Sequence, residues 1–237
     1  MIYIRTILFN IVYTVVSLFW SVILVWALLL PRRMLVKILR YTYFVSIAYV
    51  ERYVLGLTYK VEGLENIPKD GRYILASKHQ SAFETLKIPI LIDDPAIILK
   101  KELTYIPLWG WYPARMGHIA IDRGSAKQAI ASIVKGAERV LNEEKRPILI
   151  FPEGTRTKPG AKTRYKSGVA HIYKATHVPV VPLALNSGVF WGKNSFWKKS
   201  GCVTLRFLPP IPPNMESQKM MERLERELEA ECQELLT

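Results

Sequence analysis

Between Arg5 and Arg32 the chain carries no charged side chain, and residues 7–30 are almost wholly apolar. As a helix rising about 1.5 Å per residue, a run of that length spans roughly 36 Å, enough to cross a hydrocarbon core of about 30 Å with some tilt. The run is too long for a cleaved signal peptide, and ALLLPRR offers no small-x-small cleavage site. Arg5 stands alone before it, while Arg32, Arg33, Lys37 and Arg40 follow it. The positive-inside rule then leaves the C-terminal bulk in the cytoplasm. A second apolar stretch, 34–57, is interrupted by Lys37, Arg40, Glu51 and Arg52 and carries Tyr41, Tyr43, Tyr49 and Tyr53. It reads as an interfacial or re-entrant helix beside the first. One spanning helix and a two-helix hairpin dipping into one leaflet are both compatible with 1–57 as a membrane anchor.

The 237 residues carry a net charge of +13, and residues 61–212 alone hold +11. Such a surplus points to an anionic partner: nucleic acid, an acidic membrane surface or a phosphorylated substrate. Cys202 and Cys232 lack the spacing of a disulfide scaffold or a zinc module, and a reducing compartment is expected.

From residue 58 onward, short apolar runs alternate with helical windows. YILAS (73–77), AIILK (96–100), HIAID (118–122), PILIF (147–151), PVVPLAL (179–185) and CVTLRF (202–207) read as strands. Windows 81–92, 124–143 and 167–176 read as helices, which makes 58–237 an α/β domain with a sheet flanked by helices. A closing helix over 217–236 aligns Met221, Leu224, Leu228, Cys232 and Leu235 along one stripe, suited to packing on the domain.

The strand RYILAS runs into Lys78-His79-Gln80-Ser81-Ala82-Phe83-Glu84. Ser81-x-x-Glu84 is a capping box, placing the helix start at Ser81 and Glu84 in its first turn. His79 then sits on the preceding loop, where its imidazole and the carboxylate can meet; inside one helix, residues five apart would lie about 140° apart. A carboxylate-oriented His is a general base for a hydroxyl, because imidazole, with a reference pKa of about 6.5, is available neutral near pH 7. The plainer reading is that Glu84 only caps the helix. No Gly-x-Ser-x-Gly is present, neither cysteine is near His79 in sequence, Ser81 is needed as a cap and Ser77 closes a strand. The hydroxyl to be activated is then the substrate's own.

Directly after PILIF comes Phe151-Pro152-Glu153-Gly154-Thr155-Arg156. Gly154 permits a tight turn, Thr155 adds a hydroxyl, and Arg156 offers a planar fork for phosphate oxygens. Lys158, Lys162, Arg164, Lys166 and Lys174 follow. Lys100 after AIILK and Arg123 after HIAID add cations beyond two other strands. If those strands run parallel, Lys100, Arg123 and Arg156 converge on one edge of the sheet.

His79-x4-Glu84, AIDR at 120–123, FPEGTR at 151–156 and VPVVP at 178–182, in that order, resemble the motifs of the glycerolipid acyltransferase family. The resemblance implies His79 and its carboxylate as a catalytic dyad. It also implies Arg123, Glu153, Gly154, Thr155 and Arg156 as acceptor-binding residues, Lys100 near the acceptor phosphate, and VPVVP as a wall of the substrate pocket. The family's usual carboxylate is Asp; here it is Glu84, one methylene longer. The implied reaction moves an acyl chain from acyl-CoA or acyl-carrier protein to a lysophospholipid hydroxyl, foremost 1-acyl-sn-glycerol-3-phosphate, with no metal or other cofactor. The implied place is the inner membrane, with the catalytic domain on its cytoplasmic face.

Two other function classes remain open at this level. One is a non-catalytic binder of anionic lipid on the same scaffold. A membrane-tethered nucleic-acid binder rests on charge alone and lacks aromatic RNA-binding signatures and a basic recognition helix. Residues 189–199 interleave Phe190, Trp191, Phe196 and Trp197 with Lys193, Lys198 and Lys199, a pattern suited to the headgroup boundary or to a core beneath a loop.

Overall fold

The computed structural model describes residues 2–122 and 124–236. Helix α1 (Ile2–Ile23) leads through a 3-10 turn (Val25–Leu29) into α2 (Arg32–Leu39) and α3 (Val45–Val50). π turns at Arg40–Phe44 and Glu51–Leu55 make 32–55 one continuous helix returning beside α1. Strand β1 (Leu57–Glu62) follows, then β2 (Ile74–Ser77), α4 (Phe83–Leu91), β3 (Ala96–Lys100), α5 (Trp111–Arg115) and β4 (Ile119–Ile121). The second half contributes α6 (Ala126–Glu138), β5 (Ile148–Ile150), α7 (Gly168–Thr176), β6 (Val180–Leu185), α8 (Ser187–Phe190), β7 (Gly201–Phe207) and α9 (Ser217–Glu234).

The strands form one mixed sheet in the order β1-β7-β6-β2-β5-β3-β4. Strands β6, β2, β5, β3 and β4 are parallel, so the loops leaving them open on one edge. Only β7 runs antiparallel to β6, with β1 parallel to β7. The expected strands form, and β1 is an addition. LTYKVE alternates Leu57, Tyr59 and Val61 with Thr58, Lys60 and Glu62, the period-two pattern of a half-buried strand, and its partner β7 lies far along the chain.

Period-two alternation splits the core. Ile74, Ala76, Ile148, Ile150 and Val180 face α6, α7 and α9 through Ala137, Val169, Ile172, Leu224 and Leu228. Leu75, Leu149, Val181, Leu183 and Leu205 face the other way, onto Phe83 and Ile88 of α4 and onto Phe9, Ile47 and Leu55 of the N-terminal helix pair. VPVVP, expected to shape a substrate pocket, is instead enclosed core: Val180 serves one face and Val181 the other.

The N-terminal helices are therefore part of the domain's packing. Thr6 Oγ1 donates to Lys198 O at 3.0 Å near one end of α1, and Tyr112 OH donates to Ser21 O at 2.8 Å near the other. Between them, Phe9 packs edge-to-face on Trp191 at 5.3 Å. The opposite face of α1 is bare: Ile4, Ile7, Leu8, Ile11, Val15, Leu18, Phe19 and Val22 are all exposed. The 189–199 segment divides accordingly. Trp191 is only 8% exposed, and Lys198 is buried with Nζ donating to Asn10 Oδ1 at 2.6 Å, whereas Trp197 is 50% exposed. Of the cations expected to set topology, Arg32 pairs with Asp94 and Arg40 with Asp93.

One buried ion pair joins this hairpin to the sheet layer. Lys87 of α4 pairs with Glu51 Oε2 below the surface, its ammonium 4.9 Å from the Phe83 ring centroid. Burial pushes the Glu51 carboxyl up to about 7 against the pull of Lys87, and burial lowers the Lys87 ammonium against the pull of Glu51. Removing one partner strands a charge, at a cost of about 3–5 kcal/mol. Lys87→Met is expected to lower the unfolding free energy read from urea titration by that amount, and Lys87→Met/Glu51→Leu to recover most of it; additive losses in the double variant would refute the coupling.

Candidate active site

His79 sits on the loop leaving β2, just before α4. Its Nδ1 lies 2.9 Å from Glu84 Oε1. The same oxygen accepts the backbone N–H groups of Gln80 and Ser81, each at 2.8 Å, while Ser81 Oγ accepts the N–H of Phe83 at 3.1 Å. This is the capping box shifted by one residue, since the side-chain bond from Ser81 goes to Phe83 and not to the third helical position. Glu84 therefore caps the helix and holds the imidazole at once. Its other oxygen accepts Ser187 Oγ at 2.8 Å, and the carboxylate is completely buried.

An ionised carboxylate only accepts hydrogen bonds, so the Nδ1 facing it carries the proton and Nε2 is left as the acceptor. Nε2 has no protein partner among the described residues. The ring lies flat on Phe151, with centroids 3.9 Å apart and planes 18° from parallel. The bond to Glu84 and the stack on Phe151 thus fix the imidazole while one nitrogen remains open.

The loop after β5 grips the His79 backbone. Glu153 Oε2 accepts the His79 N–H at 2.8 Å, and the Thr157 N–H donates to His79 O at 2.7 Å. Glu153 Oε1 accepts Thr157 Oγ1 at 2.8 Å and meets Lys78 Nζ at 2.5 Å. Gly154 turns the loop at φ +66°, a conformation costly for residues with a Cβ. Glu153 was expected to contact the acceptor. It is fully enclosed and faces inward, because His79, Thr157 and Lys78 occupy it. Its place is behind the site, holding the catalytic loop.

Lys78 extends that support to the C-terminal helix. Its Nζ is 2.7 Å from Glu229 Oε1 of α9, which also accepts Tyr165 OH at 2.9 Å. Burial works against the Lys78 ammonium, but Glu153 and Glu229 outweigh it and hold it above its ordinary value. Nothing local in the sequence marks Lys78, Glu229 or Ser187 as belonging here.

The outward groups are cationic. Lys100, at the end of β3, is exposed, Arg156 is half-buried, and neither has an ion-pair partner among the described residues. Thr155 is exposed, with its hydroxyl 3.5 Å from Lys193 Nζ. Since β3 and β5 are parallel neighbours, Lys100 and the loop bearing Arg156 share the edge where His79 opens. Arg123 lies outside the described residues.

An open imidazole oriented by a buried carboxylate, on a sheet edge with unpaired cations, suits acyl transfer to a phosphorylated alcohol. A family model described as Acyltransferase matches residues 58–186, and the chain belongs to that family. It is 32% identical over 228 residues to the 1-acyl-sn-glycerol-3-phosphate acyltransferase of Pseudomonas aeruginosa, covering 96% of this chain and 88% of that protein. Proteins of the same name from Saccharomyces cerevisiae (32% identical, 75% of this chain) and, as the alpha form, Homo sapiens (31%, 68%) also match; the chain spans 60% and 56% of their lengths. The fold is that of the crystal structure of the 1-acyl-sn-glycerophosphate acyltransferase from Thermotoga maritima. The TM-score is 0.80 at 22% identity, over 100% of this chain and 98% of that one.

Glu84→Gln keeps an oxygen for the Gln80 and Ser81 N–H groups but removes the charge that stabilises an imidazolium. It is expected to slow acyl transfer by about 10²–10⁴-fold while moving the melting temperature little. A rate near wild type would leave Glu84 a cap alone.

Proposed function

We propose that this chain transfers an acyl group from a thioester, acyl-CoA or acyl-carrier protein, to the free hydroxyl of a lysophospholipid, foremost 1-acyl-sn-glycerol-3-phosphate, giving phosphatidic acid. The observation that carries this reading is His79, with Nδ1 on Glu84 and Nε2 open at the cationic edge. The names of the relatives supply the acceptor.

In the proposed reaction Nε2 takes the hydroxyl proton as the oxygen attacks the thioester carbonyl. The resulting imidazolium faces Glu84. Collapse of the tetrahedral intermediate expels the thiolate, which recovers the proton from Nε2, so the ester and the free thiol leave with the imidazole restored. Among the described residues the hydroxyls and thiol near the base are already committed or unreactive, Ser187 Oγ donating to Glu84, which argues against a covalent enzyme intermediate. Ser77 Oγ is buried and donates to Lys78 O, Ser81 caps α4, and burial pushes the Cys232 thiol up to about 12. The thioester brings its own activation, so the scheme needs no cofactor beyond the donor. Arg156 and Lys100 hold the acceptor phosphate.

The bare face of α1 supports membrane contact, and docking at both ends of α1 favours a hairpin lying in one leaflet over a helix that crosses it. The exposed cations Arg33 and Lys37 at the start of the second helix favour the cytoplasmic side of the inner membrane.

His79→Ala is expected to lose acyl transfer by at least about 10²-fold, the value of a general base, while still sedimenting with membranes. Retention of more than roughly a tenth of the rate would remove His79 as the base. Arg156→Lys replaces a bidentate fork by a point charge and is expected to raise the KM for the phosphorylated acceptor more than that for the thioester. Equal shifts in both constants would place Arg156 elsewhere than on the acceptor.

A further inference from the structure

Leaving Lys100, the chain crosses from the site edge to the start of β4 through a 3-10 turn (Lys101–Tyr105) and α5. On the way it exposes Leu103, Tyr105, Ile106, Trp109 and Trp111, with Tyr105 at 66% and Trp111 at 47%. A soluble surface scatters large apolar side chains singly; a contiguous cluster marks an interaction site.

The backbone beneath these side chains is tightly built. Leu108 adopts φ +63°, a conformation that costs a non-glycine residue on the order of 1–3 kcal/mol. A Cβ on Gly110 would lie 2.6 Å from both Leu103 O and Thr104 O, so only glycine closes the turn. The strained turn presents the rings outward.

The segment is also rooted in the N-terminal helix pair. Tyr112 OH reaches Ser21 O, and Arg115 donates through Nε to Leu28 O at 2.9 Å and through Nη2 to Leu30 O at 2.7 Å. Tyr112 and Met116 pack with Leu24 and Ala27. Beside this contact Leu29 is 87% exposed, and Trp26 is exposed as well. The apolar side chains of 103–111 therefore adjoin the bare surface of α1 and the turn that follows it.

We infer that residues 103–111 are a second membrane-inserting element, seated in the same leaflet as α1 and forming a lip beside the acceptor site. The inference rests on the reading of this chain as an enzyme of membrane lipids. The occupant is one leaflet of an anionic phospholipid bilayer. Continuity with α1 supports it, as do aromatic rings suited to the headgroup layer and the exposed Lys100 and Lys101 just before them. The lip sets the height of the site. An acceptor whose phosphate lies among headgroups meets Lys100 without leaving its leaflet.

The test compares the full-length protein with Ile106→Ser/Trp109→Ser on two acceptors: a short-chain lysolipid that is monomeric in water, and a long-chain lysolipid held in anionic phospholipid vesicles. Tryptophan quenching by brominated phospholipids is measured in parallel on wild type and on Trp109→Phe/Trp111→Phe. The expected result is an apparent KM raised about tenfold for the vesicle acceptor, the scale of losing one buried apolar side chain. Activity on the soluble acceptor stays within about twofold, and the quenchable emission falls in Trp109→Phe/Trp111→Phe. An unchanged vesicle KM, equal losses on both acceptors, or a changed oligomeric state in the Ser variant would overturn the lip. A wild type inactive on either acceptor would sink the acyl-transfer reading, and the quenching would then decide the lip alone.

Discussion

The Glu84 carboxylate is buried to the last atom, so its charge has to be met entirely by groups the fold brings to it. Two backbone N–H groups, the Ser187 hydroxyl from just beyond the neighbouring strand β6 and the imidazole of His79 meet it. Both oxygens of this buried carboxylate are thereby fully engaged in accepted hydrogen bonds. The longer arm of Glu also makes the shared geometry possible: one oxygen reaches back over the helix start to the His79 loop while the other faces Ser187. The helix cap and the group that orients the imidazole are thus the same atoms. Any movement of the helix start moves the base.

That coupling places strict demands on the loop carrying His79, and the second motif meets them. Glu153 and Thr157 hold His79 by its own N–H and C=O, so the loop after β5 fixes the backbone while Glu84 and Phe151 fix the ring. Glu153 can be buried as a charge only because Lys78 is buried against it, and Lys78 only because Glu229 meets it from α9. Paired charges of this kind are costly to assemble and costlier to break singly. The chain of contacts runs from Glu229 of the C-terminal helix through Lys78 and Glu153 to the His79 backbone N–H, so α9 helps hold the His79 loop.

Much of this was legible in the sequence where the signal is local. Apolar runs bounded by turns gave six of the seven strands. The capping box gave the start of α4, and with it the meeting of His79 and Glu84. The alternation of strand and helix gave the α/β class, and the parallel pairing that the sequence left as a condition explains why Lys100 and Arg156 share an edge. What escaped is non-local. Ser187 and Glu84 are 103 residues apart, and no spacing rule links them. Glu153 sits in a motif rich in phosphate-binding residue types, yet a carboxylate has no reason to face a phosphate; its direction depends on Lys78 waiting behind it. Trp191 and Trp197 lie in the same aromatic and basic stretch, and sequence treats them alike. Only the docking of α1 separates them, burying the first and leaving the second bare.

That docking changes what the N-terminal segment is. A composition profile marks 1–57 as an appendage, apolar enough to be inserted and removed from thought. In the structure Phe9 completes the core under β6 and β7, Trp191 closes over it, and Lys198 lends its ammonium to Asn10 of α1 while its carbonyl takes the Thr6 hydroxyl. The face of the sheet that carries Leu75, Leu149 and Leu183 shares its cover between α4 and these helices. Cutting the helices away would expose this core rather than release a soluble domain. The helices with the bare apolar face also hold the sheet, so in the proposed membrane-bound enzyme the height and tilt of the site would be set by packing inside the protein and not by a flexible tether.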